Sequence, residues 1–241
     1  MLNIFVYWKS YIVLLFGLLF DITVHAHSEN ASGFKNDYLL IINTYSSNAP
    51  CSNAIINSVQ KRLSTDNTTA VYVQHLNTLL IDNQKEFNKV KQDIFTKYAT
   101  GAPKIVLLIG NPVLILLDDI RTRWGDIPII ATAEMDFVSS DMANLQTTAI
   151  PEKKRVPISE LANKYNLTFL QSKLFPRDNI ELLKHMIPAL KKILLLGDGC
   201  YVNQQLHYDI KHMMTEQYPN LEYEFISAAD ITTEELLARL N

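Results

Sequence analysis

Cysteine is scarce: Cys51 and Cys200 are the only two in 241 residues. That excludes a disulfide-stapled scaffold and allows at most one bridge. Glycine is equally thin, seven in all, and nowhere forms the glycine-rich pattern of a dinucleotide site or a P-loop, so no nucleotide cofactor is expected. Charge of one sign is missing too. The net charge is −3, and Lys153-Lys154-Arg155 is the one tight basic run, which excludes the positive stripe that a nucleic-acid partner requires. No Gly-x-Ser-x-Gly elbow and no His-x-x-x-His pair occurs, so neither an activated serine nor a resident metal is expected, and no enzymatic activity.

Long apolar runs are absent after residue 26, but one stands before it. Tyr11 to Phe20 (YIVLLFGLLF) is wholly apolar, follows Lys9, and is trailed by Val24-His25-Ala26, a small-x-small cleavage signal. The run is shorter than the ~20 residues a membrane span needs. Residues 1–26 are therefore expected to be a signal peptide, with an N-terminal membrane anchor as the alternative, and the folded part to work in the periplasm or otherwise outside the cytoplasm. Roughly 215 residues remain, enough for real apolar cores. Sequons at Asn30, Asn67 and Asn166 would matter only in a eukaryotic secretory pathway.

What the rest of the chain does contain is alternation. Short apolar runs are each followed by a helical pattern. Tyr38 to Ile42 reads as a buried strand, and the helix from Ser52 to Leu63 follows with Ile55, Ile56, Val59 and Leu63 on one face. Ala70 to Leu76 leads to a helix over 84–98 with Phe87, Val90, Ile94 and Tyr98 aligned. Lys104 to Gly110 leads through Pro112 to a helix over 113–123, and Ile127 to Ala131 makes a fourth strand. The pattern weakens over 136–154, read as crossover and linker.

A second group then begins: a strand at 166–171, a helix over 177–190, a strand at 193–197, a helix over 201–218, a strand at 221–226, and a last helix capped by Asp230 or Thr232. Apolar strands joined to helices by short turns imply parallel sheets covered on both faces, an α/β fold. The expected organisation is a first lobe over 37–150 and a partial second lobe over 160–241. A complete second lobe would need ~50 to 100 more residues at ~30 per strand-helix-strand unit, so the chain is expected to be truncated.

In parallel sheets, ligands lie beyond the carboxyl ends of the strands. Three turns qualify. Asn43 to Pro50 is dense in hydroxyls and amides, suited to gripping a polar ligand or simply to a turn and helix cap. Gly110-Asn111-Pro112 combines a residue that permits close backbone approach with a helix N-terminus. Glu134 and Asp136 follow the fourth strand, and three roles stay open for them besides that of solvated loop acids: an acid/base pair, metal ligands with more oxygen donors nearby, or binding groups for a cationic or hydroxylated ligand. Gly197 to Tyr201 is the equivalent turn of the second group. Cys51 and Cys200 occupy matching places, where a helix N-terminus would lower a thiol pKa. Free, partly buried thiols are expected, since a bridge would lock hinging lobes.

The stretches Leu40-Ile41-Ile42-Asn43-Thr44-Tyr45, Ile105 to Asn111 and Trp124-Gly125-Asp126-Ile127-Pro128-Ile129 resemble the extracytoplasmic sensor domain of bacterial hybrid two-component histidine kinases. Those domains look like the substrate-binding proteins of ABC transporters, with the type I periplasmic-binding fold of two parallel-sheet lobes. The resemblance covers roughly Tyr38 onward. It implies a small-molecule ligand, no catalytic residue in this chain, and cleft positions at Tyr45, Ser46, Gly110, Asn111, Glu134 and Asp198. The second membrane span, dimerisation helices and kinase core of that family are not in this sequence, so membrane contact is expected only through the N-terminal segment or a span further downstream. A homodimer is left open. Two other readings stand beside the sensor: a substrate-binding protein feeding an ABC transporter, and an exported α/β hydrolytic enzyme using Glu134 and Asp136. A purely structural partner-binding module is a third.

Overall fold

A computed structural model describes residues 37–64, 69–81, 83–139, 150–228 and 230–240. The export segment over 1–26, the sequons at Asn30 and Asn67, and most of the expected crossover lie outside these residues.

The first unit runs to Leu174. Its sheet contains β1 (Tyr38–Asn43), β2 (Ala70–His75), β3 (Ile105–Ile109), β4 (Ile129–Ala133) and β7 (Leu167–Gln171), all parallel, in the order β2-β1-β3-β4-β7. β1 is buried along its whole length because both of its faces are covered. Tyr38, Leu40 and Ile42 point to one core with Val106, Leu108 and Ala131; Leu39 and Ile41 point to the other with Leu107 and Ile109. That division is the period-two alternation of a strand expressed on two packed faces.

Helix α1 (Pro50–Ser64) covers the second of these faces through Ile56 and Val59. Its buried stripe differs from the expected one by a small rotation: Ser52 is buried and Ile55 is exposed. The cause is the hydroxyl of Ser52, which donates to Ala49 O and receives the Asn43 amide, turning that side of the helix toward the strand ends. Helix α2 (Gln84–Lys97) covers the other face as expected with Phe87 and Ile94, joined by Phe95 and by Tyr98 just beyond its end. Asn83 caps it by accepting the Glu86 N–H at 3.0 Å. The helix expected over 113–123 is a 3₁₀ turn (Asn111–Leu116) running into α3 (Leu117–Trp124), which adds Leu117 and Ile120 to the same core.

After β4 the chain makes a short antiparallel pair, β5 (Phe137–Val138) with β6 (Val156–Pro157), then α4 (Ile158–Lys164) and β7. The strand over 167–171, expected to open the second lobe, is instead the fifth strand of the first sheet. Its register on β4 runs from Ile129–Leu167 to Ala133–Gln171, and Leu167 and Phe169 pack on the first core beside Ile158 of α4. Residues 160–174 thus belong with the first unit.

A second unit starts at Phe175. It holds α5 (Pro176–Met186), β8 (Lys192–Gly197), α6 (Tyr201–Gln217), β9 (Glu222–Ser227) and α7 (Thr233–Leu240), with β8 and β9 parallel. Ile180, Ile210, Met214 and Tyr218 form its core against Ile193, Leu195 and Tyr223. Of the two caps expected for the last helix, Thr232 is the one used: its Oγ1 accepts the Glu235 N–H, while Glu235 Oε2 accepts the Thr232 N–H at 2.8 Å, a reciprocal capping box.

Candidate functional site

Parallel register brings the last residues of β1, β2, β3 and β4 to one edge of the first sheet. Asn43 stands level with His75 on one side and Ile109 on the other, and Ile109 with Thr132. Backbone bonds weave the turns leaving this edge: the Thr44 N–H donates to Ile109 O, the Gly110 N–H to Thr132 O, and the Thr78 N–H to Thr44 O.

Asn43 is fully buried. Its Oδ1 accepts the Tyr45 N–H at 3.3 Å, and its Nδ2 faces Tyr45 O, Ser52 Oγ and His75 Nδ1 within 3.2 Å. Burial lowers the His75 pKa, partly opposed by the backbone of Tyr45. This knot sets the direction in which residue 45 leaves the sheet.

Asn111 performs the same task on the neighbouring turn. It is fully buried, its Nδ2 donates to Met135 O and Phe137 O, and its Oδ1 accepts the N–H groups of Glu134 and Met135, all between 2.9 and 3.2 Å. Two donors and two lone pairs are all that an amide has, so Asn111 has no capacity left for a ligand. Its function here is to pin the turn that carries Glu134.

Gly110 has φ +93°, a conformation that L side chains rarely adopt. A Cβ built there would meet Thr44 Oγ1 at 2.7 Å and the Tyr45 ring at 3.2 Å. The space expected to admit a ligand is occupied by these two side chains, and the glycine is what allows them to close over the turn.

Glu134 is where these constraints converge. Its Oε1 accepts from the Tyr45 hydroxyl at 3.4 Å, and its Oε2 is buried with no hydrogen-bond partner. Burial pushes the Glu134 pKa upward, against its own backbone N–H and the Tyr45 hydroxyl, which favour the charged form. Asp136 is exposed, and its carbonyl accepts the Ile158 N–H. The two carboxylates considered together from their spacing therefore occupy unlike surroundings. Asp136, Ile158, Phe169 and Gln171 line an open depression at the same end of the sheet, and Glu134 is not part of its lining.

Of the six predicted positions, Tyr45, Gly110, Asn111 and Glu134 meet at this edge. Ser46 is half-buried in the turn before α1, its Oγ accepting the Asn48 N–H and its carbonyl the Ala49 N–H. Asp198 lies in the second unit, where its Oδ1 accepts the Cys200 N–H and the Asn203 Nδ2. Burial pushes the Asp198 pKa up, but these bonds outweigh it and leave the pKa below the ordinary value. Both thiols are free, Cys51 exposed and Cys200 half-buried. The lowered thiol pKa expected at a helix start is reversed at Cys200, where burial and the Asp198 carboxylate raise it to about 12.

No sequence motif marks His75, which sits inside the β-rich run AVYVQHL; its one signal is its place as the last residue of a strand. Among the described residues no group of three or more His, Cys, Asp or Glu is placed to hold a metal ion, and no helix is long and apolar enough to cross a membrane.

No protein-family model and no curated protein matches the sequence. Two solved structures are similar to this chain. A conserved domain protein from Vibrio cholerae O1 biovar El Tor is 14% identical, with a TM-score of 0.51 over 80% of this chain and 58% of that one. The ligand-free, open structure of CD0873, a substrate-binding protein with adhesive properties from Clostridium difficile, is 19% identical, with a TM-score of 0.45 over 84% of this chain and 60% of that one. The chain thus spans about three fifths of each. The likeness to the Vibrio protein is one of α/β architecture.

Proposed function

We propose that this chain is an extracytoplasmic small-ligand-binding domain of the periplasmic-binding kind, the N-terminal part of a two-component sensor histidine kinase. One observation carries the ligand-binding part: a half-buried carboxylate, Glu134, held by a fully bonded asparagine at the carboxyl edge of a parallel sheet, with one buried oxygen lacking a partner. Native proteins rarely leave such an atom unsatisfied without a functional reason. The extracytoplasmic and sensor assignments rest on the apolar leader and on the sequence resemblance over 40–45, 105–111 and 124–129. In this reading Tyr45 and Glu134 touch the ligand, Gly110 and Asn111 shape the edge, Ser46 holds the turn before α1, and Asp198 holds the turn after β8 within the second unit.

The test is a thermal-shift screen of the whole chain against sugars, nucleosides, amino acids and small acids. A ligand at a hundred times its Kd stabilises by about 2.7 kcal/mol and raises the midpoint by several degrees. If no compound moves the melting temperature, ligand binding is lost as a function. Kinase and response-regulator sequence downstream of the gene supports the sensor form; adjacent permease genes replace it with a transporter component.

A further inference from the structure

We infer that the ligand group received at Glu134 is an ammonium: this sheet edge selects small molecules bearing a cationic primary amine. The inference rests on the ligand-binding reading above and narrows it to a chemical class.

Glu134 is short of partners. Oε1 has one long bond from Tyr45, Oε2 has none, and among the described residues no lysine, arginine or histidine forms an ion pair with it. A carboxylate taken out of water needs both hydrogen-bond donors and positive charge in reach. A ligand hydroxyl would supply a donor and leave the charge uncompensated. An ammonium supplies both at once, through the shorter and stronger charge-assisted bond. A bare divalent cation is a poorer match, because it wants several oxygen ligands and the described residues offer no such cluster around Glu134. An anion is repelled.

The surroundings fit a small occupant. Thr44 Oγ1 is a second buried atom without a partner, one residue before Tyr45, and offers a further polar contact on the same turn. Tyr45 is half-buried, and its hydroxyl lies 3.4 Å from Oε1. A depression lined by Asp136, Phe169 and Gln171 opens at the same end of β4 and β7.

The experiment is isothermal titration calorimetry on the full chain with five probes: ethanolamine and putrescine as primary amines, choline as a cation without N–H donors, and ribose and succinate as neutral and anionic molecules. The expected result is heat from a primary amine, little from choline, and a loss of about tenfold or more in affinity in Glu134→Gln, with Asp93→Asn, an exposed position on α2, unchanged. Binding of ribose or succinate without any amine overturns the amine class and leaves ligand binding intact. Amine binding that Glu134→Gln does not weaken overturns the site. No heat from any probe, joined with a flat thermal-shift screen, overturns both. Should Glu134→Gln fail to fold, the unaltered chain decides: amine affinity must fall as pH drops through the range where Glu134 takes up a proton, and an affinity that stays constant there sinks the proposal.

Discussion

Tyr45 and Glu134 are 89 positions apart in sequence, yet the hydroxyl of one lies 3.4 Å from a carboxylate oxygen of the other. They meet because Tyr45 leaves β1 and Glu134 leaves β4, and only β3 stands between those strands in the sheet. Each is set in place by a buried asparagine, Asn43 at the end of β1 for the first and Asn111 on the neighbouring turn after β3 for the second. The pair gives a sheet edge its chemical character, and its consequences are measurable.

Glu134 binds its proton more tightly in the folded state than an ordinary carboxyl does, because burial disfavours the charge. The native state then holds more protons than the unfolded one, so stability falls as pH rises from the ordinary carboxyl range through the raised Glu134 pKa. Urea midpoints measured against pH, with Glu134→Gln as the comparison, should show this segment in the parent and lose it in the variant. Identical curves would remove the case for a desolvated carboxylate.

Asn111→Ala leaves two carbonyls and two N–H groups without their partner in a buried turn. A cost of about 2 to 4 kcal/mol in unfolding free energy is expected from denaturant titration. A loss well below 1 kcal/mol would mean that water replaces the amide at little cost, and that the turn is less constrained than its bonds imply.

Two glycines with positive φ offer an internal comparison. Gly125 has φ +79° and open space where a Cβ would go, whereas the Cβ at Gly110 collides with Thr44. Gly125→Ala should cost about 1 kcal/mol for backbone strain alone, and Gly110→Ala about 2 to 4, with a local shift of Thr44 and Tyr45 visible in their NMR signals. Equal costs would contradict the close packing at Gly110.

The two thiols should differ sharply toward an alkylating agent at neutral pH. Cys51 is exposed, while Cys200 is half-buried with its pKa raised to about 12 by burial and by Asp198. The thiolate is the reactive form, so mass spectrometry should find Cys51 modified first. Asp198→Asn should accelerate Cys200; faster labelling of Cys200 in the parent would refute the assignment.

Removing the cap of α7 should act only locally. Thr232→Ala breaks the box with Glu235 at a cost of about 1 kcal/mol, and hydrogen exchange should rise over 233–240 while the strands of the first sheet keep their protection. Loss of protection in β1 and β3 would show that the two units do not open independently.

The sequence by itself determined the elements that bury apolar surface. Tyr38 to Ile42, Ile105 to Ile109 and Ile193 to Leu196 are uninterrupted apolar runs, and such a run is stable only where both faces of a strand are covered. The stripe of α2 was legible for the same reason: Phe87, Ile94 and Tyr98 fall one above another on one side of a helix. The turns that carry the site were legible as well, since they must follow the strands.

Tertiary structure alone decided what those turns do. Leu167 to Gln171 has a weak and mostly exposed pattern, so nothing local assigns it to a sheet; pairing with β4 does. Asn111 and Glu134 read alike as polar ligand candidates, but one is consumed by four hydrogen bonds and the other is left with a bare oxygen. Periodicity records which residues prefer burial. Which polar atoms find partners depends on neighbours brought in by strand order, and those lie from tens to nearly a hundred positions away.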